Sequence, residues 1–412
     1  MKKIAIIGAG VSGLTCARLL QKRFEVKVFE KEPKVGGLIR CERVNGSLFH
    51  ICGGHVFNTK NQGVMNWFWS IFNKERDFVK TDRNSAVCLP DGTFVDYPIE
   101  NHVYQLGAKL QKSFYVDIEQ MILNPPAEPT NFGDFLEKRF GRTLYDLYFK
   151  PYNAKVWRCD LSEVPLSWLE GKLPMPTPKE MIDANQKHLK ENSFVHSSFY
   201  YEKQGGSQFL ADTLARGQNV ICNTYVDEIK WQAGAWLVNG QLFDTVIFCG
   251  NIKDLPDILS GCDLDGYVEE IDSLASHGTT AVFCETDPIP YSWFYQPNEV
   301  HQSHRFICTG NFSPTNNAPG KHTCTIEFTD EIGRDEIAAQ LPLMPFHPHY
   351  ITHHYSRYTY PVQHHSTREM IALLKEHLRP YGLYLCGRFA EWEYFNMDAA
   401  MASAMKVCEC FK

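Results

Sequence analysis

KIAIIGAGVSGLTCARLLQKR, residues 3–23, joins a short β-branched run, three spaced glycines and a segment whose apolar residues have helical spacing. This order predicts a strand, a tight turn and a helix. Gly8 permits the turn, Gly10 lets backbone N–H groups approach a diphosphate, and Gly13 lets the helix pack closely on the strand. The helix N-terminus adds partial positive charge at the same place. The stretch therefore predicts a dinucleotide-binding turn in an α/β protein.

An acidic residue and a second glycine pair follow this turn. The predicted strand Glu25–Phe29 runs into Glu30, where a carboxylate can accept hydrogen bonds from ribose hydroxyls and disfavours a 2′-phosphate. Gly36 and Gly37, in the stretch EKEPKVGGLIR, predict a second loop of close backbone approach. An ordinary surface turn is the alternative interpretation of these two glycines.

Composition narrows the class of protein. The 412 residues include 41 Lys and Arg against 48 Asp and Glu, a net charge of −7, which argues against a general nucleic-acid binder. The 44% hydrophobic and 22% charged fractions are typical of a globular protein, and the length predicts two or three domains. No apolar run reaches the length of a membrane span, and glycines interrupt the apolar N-terminal segment, which argues against a signal peptide. We expect a cytoplasmic protein.

Cysteine and histidine usage predicts no metal site. The 14 cysteines form no CxxC pair and suit reduced thiols. The histidines concentrate near the C-terminal third, but without acidic or thiolate partners at ligand spacing. A solvated, aromatic-rich loop is the favoured interpretation, and a metal site is the alternative. The clustered residues are His347, His349, His353, His354, His364 and His365.

The glycine turn, the acidic residue and the second glycine pair resemble the flavoprotein family that includes amine oxidases, protoporphyrinogen oxidase, Rab GDP-dissociation inhibitors and UDP-galactopyranose mutase. The resemblance implies FAD as the cofactor. Val226 would contact adenine through its backbone, and a helix beginning at Met397 would face the flavin pyrimidine ring. The cofactor-binding residues that the resemblance implies are Gly8, Gly10, Gly13, Glu30, Gly36, Gly37, Val226, Gly387, Arg388 and Met397.

Five stretches narrow the resemblance to UDP-galactopyranose mutase, and together they span nearly the whole chain. They are GGHVFN at 53–58, DGTFVDYPIEN at 91–101, PYNAKVW at 151–157, HRF with GNFSP between 304 and 314, and GRFAEWEYFNMD at 387–398. The glycine-arginine pair of the last stretch is shared by the whole flavoprotein family. Only its second half, from Tyr394 to Asp398, therefore discriminates.

The mutase resemblance implies a catalytic set consisting of His55, Arg305, Lys172 and Tyr394. His55 would contact the isoalloxazine edge, and Arg305 would hold a diphosphate, because its planar fork matches phosphate oxygens. Lys172 and Tyr394 would contact the same diphosphate. The alternatives are a satisfied loop histidine at His55 and an ordinary surface arginine at Arg305.

The implied substrate-binding set consists of Tyr152, Trp157, Tyr360 and Asn396. An aromatic ring can stack on uracil, and a tyrosine hydroxyl can bind phosphate. Two aromatics at the spacing of Tyr152 and Trp157 are more often core residues, but the surrounding PYNAKVW sequence favours a pocket.

Three residues depart from the mutase pattern. Asn58 stands where bacterial mutases commonly have a second histidine, and Asn396 replaces an acidic residue. Lys172 stands where a mobile-loop arginine would contact the diphosphate, and lysine keeps the charge but loses the bidentate fork. These departures leave the sugar open, so a different UDP- or dTDP-sugar is an alternative substrate.

Together, these patterns predict an α/β protein with a Rossmann-like FAD-binding domain (GR2 type), an inserted helical domain and an antiparallel β-sheet substrate domain. Helical spacing over His102–Leu123 and Asn131–Lys150 supports the helical domain. The predicted boundaries are 1–80, 200–255 and 375–412 for the FAD-binding domain, 81–199 for the mainly helical domain and 256–374 for the antiparallel sheet.

The mutase resemblance implies interconversion of the pyranose and furanose forms of a nucleotide sugar, a UDP-sugar in the first instance. Reduced FAD would attack the anomeric carbon through N5 while UDP departs. NAD(P)H is a candidate external reductant, and a homodimer is a candidate oligomeric state. Two alternatives stay open. One is an FAD-dependent oxidoreductase of the amine oxidase or protoporphyrinogen oxidase type. The other is a non-enzymatic scaffold of the GDP-dissociation-inhibitor type, against which the intact glycine turn argues.

Overall fold

The computed structural model describes residues 1–164, 166, 176–189, 198–364 and 366–411. A parallel sheet is built around the N-terminal strand, whose β-branched residues suit a strand covered on both faces. In spatial order its five strands are Leu383–Leu385, Thr245–Phe248, Lys3–Ile7, Glu25–Phe29 and Val220–Ile221. Strands from three separate parts of the chain therefore form one sheet.

Helices cover both faces of the parallel sheet. Alternate residues of its central strand point to opposite sides, so Ile4 and Ile6 join one apolar cluster and Ala5 and Ile7 join another. On the first side lie the helices Val11–Leu20, Gln208–Ala215 and Met397–Glu409, and on the second lies Thr367–Leu378. The last helix begins at Met397, as predicted.

A seven-stranded, mainly antiparallel sheet forms the second layer. In spatial order its strands are His349–Pro361, Ser276–Glu285, Thr323–Thr329, Arg305–Ile307, Trp293–Tyr295, Ser85–Cys88 and Phe94–Asp96. The last two strands lie inside the segment predicted as mainly helical. They join this sheet because Ala86 and Cys88 bury their side chains in its apolar core.

The histidine-rich segment is a strand over His349–Pro361, so the prediction of a loop was wrong for His349, His353 and His354. Its aromatic and β-branched residues favour a strand, and His349–Pro361 pairs along most of its length with Ser276–Glu285. His347, just before the strand, lies 2.7 Å from a carboxylate oxygen of Asp287. Among the described residues no group of three or more His, Cys, Asp or Glu side chains is arranged to hold a metal ion. His365 lies outside them.

The helical part of the chain begins later and breaks earlier than its periodicity predicts. The 3-10 turn Val103–Gln105 precedes the first helix, and Gly141, with φ of +83°, ends the second. The side chain of Asn131 caps that second helix by accepting a hydrogen bond from the Asp134 N–H at 2.9 Å. The elements are helices Ala108–Leu123, Phe132–Phe140 and Arg142–Leu144, the π-helical turn Tyr145–Phe149, and helices Lys150–Trp157 and Pro178–Lys187.

Shorter elements connect the layers. The additional helices are Gln62–Ile71, Lys74–Asp77, Leu255–Ile258, Val268–Ser273 and Arg334–Gln340. The additional strands are Cys41–Val44, Ser47–His50, Phe78–Asp82, Ser198–Glu202, Ile229–Gln232, Ala235–Val238, Gln241–Phe243 and Leu259–Ser260. No helix in the described part of the chain combines the length and apolar character that a membrane span requires.

Candidate functional site

The glycine turn, residues 8–13, leaves room for a ligand at one glycine and none at another. A Cβ on Gly13 would lie 2.0 Å from the carbonyl oxygen of Gly8, which shows how closely the helix packs on the turn. A Cβ on Gly10 would meet nothing within 4 Å. Gly8 has φ of +101°, a conformation that favours glycine. The turn is therefore packed on its inner side and open on its outer side.

The second glycine pair lies against the first turn. The Gly36 N–H donates a hydrogen bond of 2.9 Å to the Ala9 carbonyl oxygen, and a Cβ on Gly37 would approach the Cα of Gly10 to 3.3 Å. Gly36 is buried. The alternative of an ordinary surface turn therefore does not describe its position. We call these two loops, together with Glu30, the dinucleotide end.

Glu30 is buried beside the glycine turn. One carboxylate oxygen accepts a hydrogen bond from the Ala9 N–H at 2.7 Å, and the other accepts from the Glu32 N–H at 2.9 Å. The carboxylate is thus fixed at the carboxyl end of its strand, where parallel-sheet proteins bind ligands. Its oxygens can each accept a further hydrogen bond, which suits ribose hydroxyls.

The residues of the dinucleotide end fit an FAD diphosphate. Gly10 opens onto free space, and the helix Val11–Leu20 has no acidic residue in its first turn to oppose an anion. Val226 is 5% exposed and packs in the cluster that contains Ile7. Met397 is the first residue of the last helix.

Gly387 and Arg388 lie between the dinucleotide end and the antiparallel sheet. A Cβ on Gly387 would lie 2.6 Å from the Ser12 hydroxyl oxygen, so this turn packs directly on the first helix. The Arg388 guanidinium donates to the carbonyl oxygens of Phe395, at 2.9 Å, and Thr359, at 3.1 Å. It also lies 4.6 Å from the ring centroid of Tyr394. These contacts hold a positive charge between the dinucleotide end and the antiparallel sheet.

His55 has an unsatisfied ring nitrogen in the same region. Its Nε2 is buried and has no hydrogen-bond partner among the described residues. Burial, followed by the positive charge of Arg388, lowers the pKa of His55 to about 4, so the ring is neutral at neutral pH. A satisfied loop histidine is therefore not what the structure contains. A neutral imidazole nitrogen without a partner suits a polar group on a bound cofactor or substrate.

Arg305 and Glu327 form an ion pair across two neighbouring strands. Arg305 Nε donates to a carboxylate oxygen of Glu327 at 2.7 Å, and Nη2 donates to the same oxygen. Burial, the largest single effect, disfavours the guanidinium charge, but the Glu327 carboxylate and the neighbouring tyrosines together raise the pKa of Arg305 well above its usual value. Burial alone would raise the pKa of Glu327, yet the charge of Arg305 lowers it to about 2. Both groups are therefore ionised at neutral pH.

Three tyrosines gather around this ion pair. The rings of Tyr360 and Tyr394 are stacked, with centroids 5.5 Å apart and planes at 9°. The Tyr360 hydroxyl lies 3.4 Å from Arg305 Nη2. The ring of Tyr152 lies edge-on to Tyr295, with centroids 5.4 Å apart, and Tyr295 is opposite Arg305 in the sheet register. We call Tyr152, Arg305, Glu327, Tyr360 and Tyr394 the arginine–tyrosine cluster.

The structure does not bring every expected substrate residue to this cluster. Trp157 is 2% exposed and belongs to the core of the helical part, where its ring lies edge-on to Phe132. Asn396 is exposed at the start of the last helix. Asn58 donates from its amide to the Ser198 carbonyl oxygen at 2.9 Å. Lys172 lies outside the described residues.

Sequence reasoning missed Glu327. It sits within the strand Thr323–Thr329, directly opposite Arg305 in the sheet register, and its other carboxylate oxygen accepts from the Gly53 N–H at 2.8 Å. A glutamate among the apolar residues of CTIEF is the signal that could have identified it, since a buried carboxylate needs a charged partner. Glu327 thereby joins Arg305 to the loop that carries His55.

Comparison with known proteins agrees with this architecture. Residues 6–73 match the model of the NAD(P)-binding Rossmann-like domain. A crystal structure of reduced UDP-galactopyranose mutase is similar with a TM-score of 0.87 and 20% sequence identity, over 100% of this chain and 94% of that one. This fold is that of UDP-galactopyranose mutase. The predicted Rossmann-like α/β fold class and the resemblance to the mutase are confirmed.

Two curated relatives are also mutases of nucleotide sugars. A dTDP-fucopyranose mutase of Escherichia coli is 31% identical over 183 residues, 42% of this chain and 46% of that protein. A protein of Klebsiella pneumoniae described as "Probable UDP-galactopyranose mutase" is 28% identical over 182 residues, 42% of this chain and 45% of that protein. The chain spans less than half the length of these relatives.

Proposed function

We propose that the protein is an FAD-dependent mutase that interconverts the pyranose and furanose forms of a UDP-sugar. The observation that carries this proposal is the arginine–tyrosine cluster, in which residues from distant parts of the chain meet beside a dinucleotide-binding turn. FAD bound in its reduced form would supply the nucleophile for the anomeric carbon of the sugar. The reaction also requires that side chains of the protein hold the departing diphosphate.

Arg305 meets that requirement because its charge is fixed and oriented. The side chain is 20% exposed, whereas the Glu327 carboxylate that holds it is 1% exposed, so the guanidinium keeps some access to a ligand while its carboxylate partner lies inside the protein. Orienting the donors in advance removes reorganisation from the step in which the diphosphate gains charge. Arg305 therefore stabilises the leaving diphosphate in this proposal.

The tyrosines supply neutral donors to the same diphosphate. Burial, the largest effect, raises the pKa of Tyr152 above its usual value even though Arg305 opposes it. Burial likewise raises the pKa of Tyr360 well above its usual value. Both phenols therefore keep their protons at neutral pH and can donate to anionic oxygens. Tyr394 lies between Tyr360 and Arg388, where its hydroxyl can join them.

His55 and Arg388 act at the border between flavin and sugar in this proposal. The neutral His55 ring can accept or donate one hydrogen bond at the flavin edge through its free Nε2. Arg388 provides a positive charge that favours an electron-rich, reduced flavin. Neither residue needs to act as a nucleophile.

Comparing reduced and oxidised protein tests this function. FAD-loaded protein, either oxidised or reduced with dithionite, is incubated without oxygen with UDP-galactopyranose, and products are separated by chromatography. Parallel reactions contain dTDP-fucopyranose, and NADH and NADPH replace dithionite to test an external reductant. We expect the furanose to form only with reduced protein. Conversion that requires oxidised protein and consumes an electron acceptor would instead assign an oxidoreductase.

A further inference from the structure

A half-buried lysine side chain joins the helical part of the chain to the antiparallel sheet. Lys155, on the helix Lys150–Trp157, donates to the carbonyl oxygens of Gln296, at 3.0 Å, Ser303, at 2.9 Å, and Asn298. An ammonium has three N–H donors, so all of them are used. The three acceptors belong to one loop, residues 296–303.

This loop connects the two strands that carry Tyr295 and Arg305. Tyr295 and Arg305 face each other in the sheet register, and the Gln296 N–H closes the base of the loop by donating to the His304 carbonyl oxygen at 2.9 Å. A displacement of the loop would therefore move the strand end that presents Arg305.

The helix of Lys155 also carries Tyr152, one turn earlier on the same face. The ring of Tyr152 lies edge-on to Tyr295, with centroids 5.4 Å apart, and to His304, at 6.4 Å. The contact of Lys155 with the loop thus lies next to the contact between Tyr152 and the strands. One side chain spans the gap between the two elements that contribute Tyr152 and Arg305.

We propose that Lys155 is a positioning residue that fixes the spacing between Tyr152 and Arg305 and so sets the affinity for the diphosphate of the nucleotide sugar. The inference rests on the proposed function. Without the ammonium, three carbonyl oxygens lose their donor, and the loop must move toward water to satisfy them. Tyr152 and Arg305 would then bind the same diphosphate less well, although neither has been changed.

The test uses FAD-loaded protein with Lys155→Met. This substitution keeps a side chain of similar length and removes the ammonium. Lys150→Met is the matched control, because Lys150 is an exposed lysine on the same helix. Binding of uridine diphosphate is measured by calorimetry. We expect Lys155→Met to raise Kd about tenfold and Lys150→Met to change it less than about twofold. Lys155→Arg, which keeps the charge and the donors, is expected to recover part of the affinity.

Two further readouts separate positioning from a purely structural role. Amide hydrogen exchange in residues 296–304 should rise in Lys155→Met and not in Lys150→Met. The KM for UDP-galactopyranose should rise with a much smaller change in kcat. Equal uridine diphosphate affinity in the two lysine variants would overturn the role of Lys155. If the wild-type protein itself does not bind uridine diphosphate, the proposed function fails, and the role of Lys155 fails with it.

Discussion

The dinucleotide end and the arginine–tyrosine cluster are built by opposite means. The dinucleotide end uses backbone groups of two short loops: the missing side chain at Gly13 lets the helix pack, and the missing side chain at Gly10 leaves space for a ligand. The cluster uses side chains that are far apart in sequence, from Tyr152 to Tyr394, and its geometry depends on the ion pair of Arg305 with Glu327. The dinucleotide end is therefore sensitive to added side-chain volume, and the arginine–tyrosine cluster is sensitive to loss of charge.

The largest effect is expected at Gly13. Gly13→Ala places a Cβ 2.0 Å from the Gly8 carbonyl oxygen, and this backbone atom cannot move without separating the helix from the sheet. We expect loss of folded protein, measured as the loss of a cooperative thermal transition and of bound FAD. Gly10→Ala, the matched control, adds the same methyl group into open space and should fold like the wild type. Equal stability of the two variants would contradict the packing described.

The next effect concerns the pH dependence of stability at Glu327. Its pKa is lowered from 4.5 to about 2, so ionised Glu327 stabilises the folded state above pH 4.5 and this contribution is lost as the pH falls through about 2. The contribution amounts to about 3 kcal/mol. We expect the stability difference between wild type and Glu327→Gln to shrink by that amount from pH 5 to pH 2, measured by urea denaturation.

Glu202 provides the matched control for this measurement. It is fully buried, and burial raises its pKa from 4.5 to about 8. Its effect runs in the opposite direction, because the folded state holds a proton that the unfolded state has released, so stability falls as the pH rises from 4.5 to 8. The stability of Glu202→Gln relative to the wild type should therefore rise between pH 4.5 and pH 8 and stay constant below pH 4.5. A Glu327→Gln difference that stays constant in acid would show that Glu327 is not ion-paired.

Arg305 tests the charge requirement directly. We expect Arg305→Ala to lower mutase turnover at least 100-fold, about 2.7 kcal/mol, because a preoriented donor to the leaving group is lost. Arg305→Lys keeps a positive charge beside Glu327 but lacks the planar fork of arginine. Its turnover should therefore lie between those of the wild type and Arg305→Ala. Both variants should stay yellow, since the dinucleotide end is unchanged, and flavin absorbance checks this. Unchanged turnover in Arg305→Ala would remove Arg305 from the site.

The smallest effect is expected at Gly10. Its added methyl group does not strain the protein but occupies the space beside the turn where a diphosphate would lie. We expect Gly10→Ala to weaken FAD binding about tenfold, about 1.4 kcal/mol, with an unchanged melting temperature for the FAD-free protein. Fluorescence titration with FAD measures this. Wild-type affinity would place the diphosphate elsewhere.

Sequence reasoning succeeded where the geometry is local. The turn at Gly8, the carboxylate at Glu30 and the helix that begins at Met397 all lie where the motif predicts them, because steric limits act over a few residues. It also placed Tyr152 and Arg305 in one predicted site, and the structure brings these two residues near each other through Tyr295, although that pair came from resemblance and not from spacing.

It failed where burial depends on distant partners. Trp157 belongs to the helical core because Phe132 and its neighbours surround it, which no local pattern reveals. The histidine-rich segment is a strand because Ser276–Glu285 offers a pairing partner. Glu327 was missed because the register that places it opposite Arg305 is not visible in one strand.

The ratio of product to electrons tests the mutase proposal most directly. FAD-loaded protein is reduced with a measured, substoichiometric amount of dithionite in a sealed anaerobic vessel, and UDP-galactopyranose is added in large excess. The proposal predicts many furanose molecules per electron pair, with the flavin still reduced at the end. At most one product molecule per electron pair, or flavin that changes redox state in step with product, would contradict it.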